Sequence, residues 1–361
     1  MWFWKKKKSN LLNLPEQIRE KARHAGRING LSDQQIEDVI QKNQDLDFLE
    51  SEMKNQMNYP DIEYLISIFV PQTIRRTARK PISVEDIITG VTCGDIIGSK
   101  FEFTTHDYAE ARTMKLPARK SYHTDDTVLT KATWKAIQEA PEAPDFRQAY
   151  IDAYHKEKGA GYGSAFVAWA ENEQMYYTDG MVPRQRDNTV GYHSCANGCA
   201  MRIAPIPAYY DDLPTAIKHA VASCMVTHNH VESVKATIIL TVSMWMALHG
   251  YSKRDIYDYC ATHYTMHDEL FYKASQFDMN VELNDIPNNV VRNSLMANYA
   301  VPFAIKCFYQ TSCFEDCMSE ILAHYGDTDT ICAIAGGLCV AFYGTTGMDN
   351  RAILDADLHK V

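Results

Sequence analysis

The chain lacks any hydrophobic run long enough to span a lipid bilayer. Its longest apolar stretches run from Ala236 to Leu248 and from Ile331 to Tyr343, whereas a membrane-spanning helix needs about 20 apolar residues. Near the amino terminus, four lysines lead into polar residues where a secretory signal would place its apolar segment. We therefore interpret both stretches as buried helices and expect a cytoplasmic protein with no membrane partner.

Positive charge is also scarce. The sequence has 36 Lys and Arg residues against 46 Asp and Glu residues, which gives a formal net charge of −10. Proteins that bind nucleic acids through the phosphates usually carry an excess of basic residues. We therefore expect no nucleic-acid partner.

None of the ten cysteines forms a C-x-x-C pair. Cys195 and Cys199, like Cys313 and Cys317, are four residues apart, a spacing that would suit a soft metal on one face of a helix. The simpler interpretation is that the thiols are small buried side chains in a reducing compartment.

Helical periodicity dominates from Pro81 onward, and no stretch shows the alternation of a strand or an internal repeat. The predicted helices cover Val84–Ile97, Val128–Ile137, Asp212–Thr227, Val231–Leu248, Lys253–Tyr264, Val290–Tyr309, Phe314–Tyr325 and Thr330–Tyr343. Residues 1–80 are richer in Lys, Gln, Asn and Glu, with helix-like stretches at Pro15–Ala25 and from Ser32. The sequence predicts an all-α fold, with a compact multi-helix domain at 81–361 and a helical N-terminal extension at 1–80.

Three glycines lie on one face of the first core helix. Gly90, Gly94 and Gly98 are four residues apart, and each glycine inside a helix costs about 1 kcal/mol relative to alanine. Such a stripe indicates close approach of another backbone or of a ligand. Two acids, Asp95 and Glu102, bracket the end of this helix.

Two acidic clusters each precede a helical stretch. One reads Thr124-Asp125-Asp126-Thr127 and the other Asp327-Thr328-Asp329-Thr330. The simpler interpretation is an acidic helix start, with Thr124 as the N-cap. The second cluster opens a helix that reads as buried, where unneutralised charge is expensive. Carboxylate and hydroxyl oxygens suit Mg²⁺ or Mn²⁺, so two remote loops could converge on a two-metal site.

Two further segments have the composition of ligand contacts. The loop from Gly191 to Arg202 is polar and rich in turn residues, and its backbone N–H groups could cradle phosphates. The alternative is an ordinary long loop. Thr227-His228 lies between two predicted helices, where a histidine often serves as a cap or a surface residue.

In this order, the motifs resemble those of the ADP-ribosylglycohydrolase family, which includes ADP-ribosylarginine and ADP-ribosylserine hydrolases. The resemblance covers about residues 84–345 and implies a compact all-α fold with two Mg²⁺ ions, for which Mn²⁺ is an alternative. It implies one ion bound by Thr124, Asp125, Asp126 and Asp329, and a second bound by Asp327, Asp329 and Thr330 together with Glu102, with Asp329 as the bridge.

The resemblance also assigns the rest of the pocket. Residues that match ADP-ribose-binding positions are Gly161, Gly163, Ser194, Asn197 and His228. Two positions depart from the family pattern, because Ala196 replaces a glycine that commonly precedes the asparagine and Cys195 stands where an aromatic ring often stacks. Both departures concern the adenosine side and leave the metal ligands intact.

The implied activity is hydrolysis of the bond between ADP-ribose and a protein side chain, with arginine linkage favoured over serine. Asp126 is the first candidate for the proton shuttle and Glu102 the second. Some family members act as immunity proteins against ADP-ribosyltransferase toxins, so residues 1–80 are either a toxin-binding segment or a helical appendage. A two-metal phosphohydrolase is a further alternative.

Overall fold

The computed structural model describes residues 61–71, 79–104, 113, 115–118, 120–172, 191–265, 279–280 and 294–357. Over these ranges the chain forms α-helices, one short 3₁₀ turn at Asn197–Cys199, and an isolated bridge between Ala196 and Met296 in place of any strand ladder. The predicted all-α class is confirmed.

The helices of the described ranges are numbered here in chain order. They are α1 (Ile62–Phe69), α2 (Val84–Gly98), α3 (Asp125–Glu139), α4 (Phe146–Lys156), α5 (Ser164–Ala170), α6 (Pro205–Tyr209), α7 (Leu213–Met225), α8 (Val231–Leu248), α9 (Lys253–Tyr264), α10 (Ala297–Gln310), α11 (Phe314–Leu322), α12 (Thr328–Tyr343) and α13 (Asn350–Asp355).

The close packing of α2 against α12 forms the centre of the fold, and the glycine stripe of α2 faces α12. A Cβ atom on Gly94 would lie 2.1 Å from the carbonyl oxygen of Cys332, and one on Gly98 would lie 2.3 Å from that of Thr328. Because no methyl group fits there, the glycines set the distance between the helices. The stripe is therefore a packing motif, and it places Asp95 of α2 beside the start of α12.

Helix α8 runs through the core. Among the described residues, α8 is the one helix that is long and apolar enough to cross a membrane. All of its residues are buried inside the protein. It contacts α7, α9, α10 and α12, which accounts for its apolar character on every side. The interpretation of both long apolar stretches as buried helices is confirmed, since α12 is also buried along nearly its whole length.

Helix boundaries follow the capping signals. The predicted helices Val231–Leu248 and Lys253–Tyr264 are confirmed to the residue, and Thr124 caps α3 as expected. The periodicity analysis misses α1, α4, α5, α6 and α13, of which three have seven residues or fewer. Helices of that length show too few turns for a clear apolar period.

The helix predicted from Val290 begins at the wrong place. Residues 290–293 lie outside the described residues, and α10 begins only at Ala297. The preceding backbone pairs with the 191–202 loop instead, because Asn197 N donates to the Leu295 carbonyl at 2.8 Å and Ala297 N donates to that of Cys195 at 3.0 Å. This tertiary pairing overrides the local helical pattern.

Helix α1 precedes residue 81 yet packs on the core. Its Leu65 and Phe69 side chains are fully buried, and the Phe69 carbonyl accepts a 3.0 Å hydrogen bond from the Tyr259 hydroxyl. This part of the predicted extension is therefore integral to the fold. The helical stretches predicted at Pro15–Ala25 and from Ser32 lie outside the described residues.

Candidate active site

The two acidic clusters meet beside the α2–α12 pair. Carboxylate oxygens of Asp95, Asp126 and Asp329 lie within 4.8 Å of one another, and those of Glu102, Asp327 and Asp329 form a second group with the same spacing. Asp329 belongs to both groups. The convergence of remote acids expected from the sequence is therefore present, with Asp329 at its centre.

Asp95 holds the start of α3 in place. Its carboxylate accepts hydrogen bonds from the backbone N–H and hydroxyl of Thr124, both at 2.8 Å. The N–H and hydroxyl of Thr127 donate to the same carboxylate at 3.1 and 2.5 Å. The sequence analysis did not place Asp95 in the site, although a fully buried acid in an apolar, glycine-striped helix was a usable signal.

Asp126 has one carboxylate oxygen that no described residue binds. Its Oδ2 accepts from the hydroxyl of Thr330 at 3.2 Å and lies 3.0 Å from the hydroxyl oxygen of Thr124, whose single proton is donated to Asp95. Its Oδ1 is buried and accepts no hydrogen bond from any residue that the structure describes. A buried carboxylate oxygen without a donor is costly, and a hard cation is the partner that such an oxygen suits.

The acids raise one another's pKa values. Burial, reinforced by the neighbouring carboxylates, raises the pKa values of Asp126 and Asp329 well above their usual range. The same causes raise the pKa of Glu102 to about 7 and that of Asp125 to about 8. Without a positive charge this cluster retains protons, whereas a divalent cation would favour the ionised carboxylates.

The predicted metal ligands differ in their placement. Asp126, Asp327, Asp329 and Glu102 fall in the two compact groups, while Asp125 is half-buried and lines the same cavity outside both groups. The Thr330 hydroxyl donates to the Asp126 carboxylate and the Thr124 hydroxyl to that of Asp95, and both residues line the cavity. All seven predicted ligands therefore surround one space.

A cavity of about 310 Å³ extends from the acids. The five residues predicted to hold ADP-ribose all line it: Gly161, Gly163, Ser194, Asn197 and His228. Asn197 also has a structural role, because its side-chain nitrogen donates to Asp327 Oδ2 at 2.8 Å and to the Ser294 carbonyl at 2.9 Å. One amide proton thereby holds the Asp327 carboxylate, and the other holds the Asn197 side chain on Ser294.

Aromatic rings also line the cavity. Phe166 and Tyr192 both contribute to the wall. Phe166 stacks on Tyr162 with ring centroids 5.1 Å apart, and Tyr192 lies 5.7 Å from the ring of His228. These rings were not predicted, and they offer a stacking surface in a pocket where Cys195 replaces the expected aromatic residue.

Part of the loop from Gly191 to Arg202 is not an open phosphate cradle. The amides of Ala196, Asn197, Ala200 and Met201 donate to protein oxygens. The ordinary-loop interpretation therefore holds for this part of the backbone, and the loop contributes to the cavity through its side chains and Gly198.

Comparison with known proteins agrees with this architecture. The ADP-ribosylglycohydrolase family model matches residues 82–356. ADP-ribosylhydrolase ARH3 of Gallus gallus is 24% identical over 332 residues, which covers 75% of this chain and 88% of that protein. A protein of Acanthamoeba polyphaga mimivirus, named as an ADP-ribosyl glycohydrolase, is 23% identical over 299 residues, which covers 73% of this chain and 88% of that protein.

A solved structure described as an ADP-ribosylglycohydrolase-related protein complex has the same fold. Its TM-score is 0.54 at 20% sequence identity, and the match covers 76% of this chain and 91% of that chain. The region matched by the family model, residues 82–356, includes both acidic clusters and the residues that line the cavity. The chain belongs to the ADP-ribosylglycohydrolase family, a family of glycosyl hydrolases that remove ADP-ribose.

Proposed function

We propose that this protein hydrolyses the bond between C1″ of ADP-ribose and a protein side chain, with two Mg²⁺ ions in its site. The observation that supports this most is the position of Asp329, which belongs to both carboxylate groups at the acidic end of the cavity. A shared carboxylate is the arrangement expected of a bridging ligand in a two-metal site.

The residues present fit this cofactor. Asp126, Asp329, Asp125 and Thr124 would hold one ion, and Asp327, Asp329, Thr330 and Glu102 the other, with Mn²⁺ as an alternative metal. The donors are all hard oxygens, and the unbound Oδ1 of Asp126 is available as a ligand. When bound, such ions would orient the 2″ and 3″ ribose hydroxyls and acidify a bound water or hydroxyl.

Between the two predicted proton shuttles, the structure favours Glu102. Asp126 is buried, and its Oδ1 accepts no hydrogen bond from the described residues, so it suits metal binding. Glu102 is partly exposed and lines the cavity, so its carboxylate is placed to exchange a proton with a leaving group. We therefore assign proton transfer at the leaving group to Glu102.

We propose arginine as the linked side chain. The leaving guanidinium would meet the carboxylates of Glu102, Asp125 and Asp327 at the acidic end of the cavity, and charged hydrogen bonds to carboxylates are among the strongest available to a guanidinium. The serine linkage, which produces a neutral hydroxyl, gains less from this environment.

The direct test is release of ADP-ribose from protein labelled on arginine or on serine, with products separated by mass. Intact ADP-ribose, faster from arginine, is expected in the presence of Mg²⁺. Release of AMP would instead indicate a phosphohydrolase. Asp126→Ala and Asp329→Ala should each abolish release, and full activity in both variants would contradict the proposed site.

A further inference from the structure

We infer that the buried Arg202, acting through Thr227, fixes the proton of His228 on Nε2, so that this pocket histidine presents an N–H donor to an oxygen of the bound ligand. That the ligand is ADP-ribose rests on the proposed function. The placement of the proton rests on hydrogen bonds alone.

Arg202 has no exposed surface. Its guanidinium carbon lies 4.1 Å from the centre of the Tyr150 ring, and its Nη2 donates to the Ser223 carbonyl at 3.0 Å and to Thr227 Oγ1 at 2.6 Å. A guanidinium has only donors and stays protonated in proteins. In this contact the Thr227 oxygen is therefore the acceptor.

The Thr227 hydroxyl has one proton to donate in turn. Its oxygen lies 2.6 Å from Nδ1 of His228, and no other acceptor contacts it among the residues that the structure describes. Leaving a buried hydroxyl proton unbonded is unfavourable, so Nδ1 must accept. The neutral ring then carries its proton on Nε2.

The imidazolium form is disfavoured by the same geometry. A proton on Nδ1 would point at an oxygen that already accepts from Arg202, and the Thr227 proton would lose its acceptor. It would also place a second positive charge across one hydroxyl from the buried guanidinium. Like charges repel more strongly at such separations when both groups are buried, as Arg202 and His228 are.

The His228 ring lies in the cavity wall, with its Nε2 side next to Gly198. Both residues line the cavity, and a Cβ atom on Gly198 would lie 3.1 Å from Nε2. Phosphate oxygens accept hydrogen bonds and ribose hydroxyls can do so, which makes a fixed N–H the appropriate partner. Arg202 and Thr227 are positioning residues in this arrangement, since they act through His228.

Nitrogen-15 NMR of histidine-labelled, ligand-free protein reports the tautomer directly, with His228→Gln used to assign the signal. A protonated Nε2 and an unprotonated Nδ1 are expected in the full-length protein near neutral pH. A proton on Nδ1, alone or with Nε2, would overturn the inference.

Variants at Thr227 test the coupling. Thr227→Val removes the hydroxyl and keeps the shape, so the Nε2 preference should be lost and ADP-ribose, measured by calorimetry, should bind up to about tenfold more weakly. Thr227→Ser should restore both properties. Thr241→Val is the matched control, because it removes an equally buried hydroxyl that donates to the Thr237 carbonyl at 2.8 Å.

The outcomes separate the two claims. Unchanged tautomer and affinity in Thr227→Val would contradict the role of Arg202 and Thr227. If Thr227→Val does not fold, the wild-type spectrum and the Thr227→Ser variant still decide the tautomer. An Nε2 tautomer in a protein that binds no ADP-ribose would support the proton placement and contradict the proposed function.

Discussion

At the scale of single residues, Asp95 links the fold to the proposed chemistry. It accepts four hydrogen bonds from Thr124 and Thr127, so an amide in its place could not accept all of them. We expect Asp95→Asn to weaken Mg²⁺ binding and to lower the rate of ADP-ribose release by at least about tenfold.

Asp86→Asn is the matched control for this prediction. Asp86 lies on the same helix, where its carboxylate completes an exposed capping box with Ser83. Its loss should cost about 1 kcal/mol of stability and leave Mg²⁺ affinity, measured by calorimetry, unchanged. Equal loss of affinity in both variants would show that Asp95 contributes only to stability.

The raised pKa values of Glu102 and Asp125 predict a pH effect on the metal-free protein. In the unfolded chain these groups lose their protons near 4.5 and 3.8, whereas in the folded protein they hold them to pKa values of about 7 and 8. At a pH between the unfolded and folded pKa values of a group, the folded state binds more protons than the unfolded state. The free energy of unfolding therefore falls as pH rises through this range. Mg²⁺ should offset this loss most at the higher pH.

Thermal melts in a chelator, at about pH 5 and about pH 8, measure this effect. The wild type should lose more stability over that interval than the double variant Glu102→Gln with Asp125→Asn, which lacks both titrating groups. A wild type with the same or a smaller loss than the double variant would contradict the predicted repulsion in the site.

At the scale of helices, the glycine stripe determines where the acids lie. A Cβ atom at position 94 would sit 2.1 Å from the Cys332 carbonyl oxygen, so Gly94→Ala must push α2 away from α12. We expect a loss of stability of about 1–3 kcal/mol in chemical denaturation and weaker Mg²⁺ binding, since Asp95 and Asp329 lie on the two helices.

Gly159→Ala provides the comparison. Gly159 is exposed, and a Cβ atom there would meet no atom within 4 Å. Its stability and Mg²⁺ affinity should stay close to those of the wild type. If Gly94→Ala also left stability and Mg²⁺ affinity unchanged, the glycine stripe would not determine the distance between α2 and α12.

The helices also show which structural features can be predicted from local sequence patterns. Long helices with clear caps, such as α8 and α9, were predicted to the residue, because their apolar residues and N-caps are local signals. The stripe and the two acidic clusters indicated the helix contact and the acidic end of the cavity.

Features that depend on tertiary contacts were not predicted. The late start of α10 follows from pairing between distant loops. Asp95 is part of the site because the start of α3 lies beside it in the folded protein. Phe166 and Tyr192 line the cavity because of the way α5 and the loop before the 3₁₀ turn pack. None of these has a local periodic signal.

At the scale of the whole molecule, the effect of an N-terminal deletion on stability depends on whether the deletion removes helix α1. Deleting residues 1–60 leaves Leu65 and Phe69 in the core and should leave hydrolysis intact. Deleting residues 1–75 removes both fully buried side chains and should lower the stability by several kcal/mol, about 1.5–3 for each. Circular dichroism melts and the release assay distinguish the two deletions.

The same pair of deletions bears on the predicted toxin-binding role of residues 1–80. Loss of toxin binding on deletion of 1–60, with hydrolysis unchanged, would support a separate binding segment. Loss of solubility on that deletion would support an appendage that packs on the core, as α1 does.

The most direct measurement is the anomalous diffraction of a crystal soaked in Mn²⁺. Two peaks about 3.5–4 Å apart are expected, one among the oxygens of Asp126 and Asp329 and the other among those of Glu102, Asp327 and Asp329. A cavity without a peak, or with Mn²⁺ bound only away from Asp329, would contradict the account.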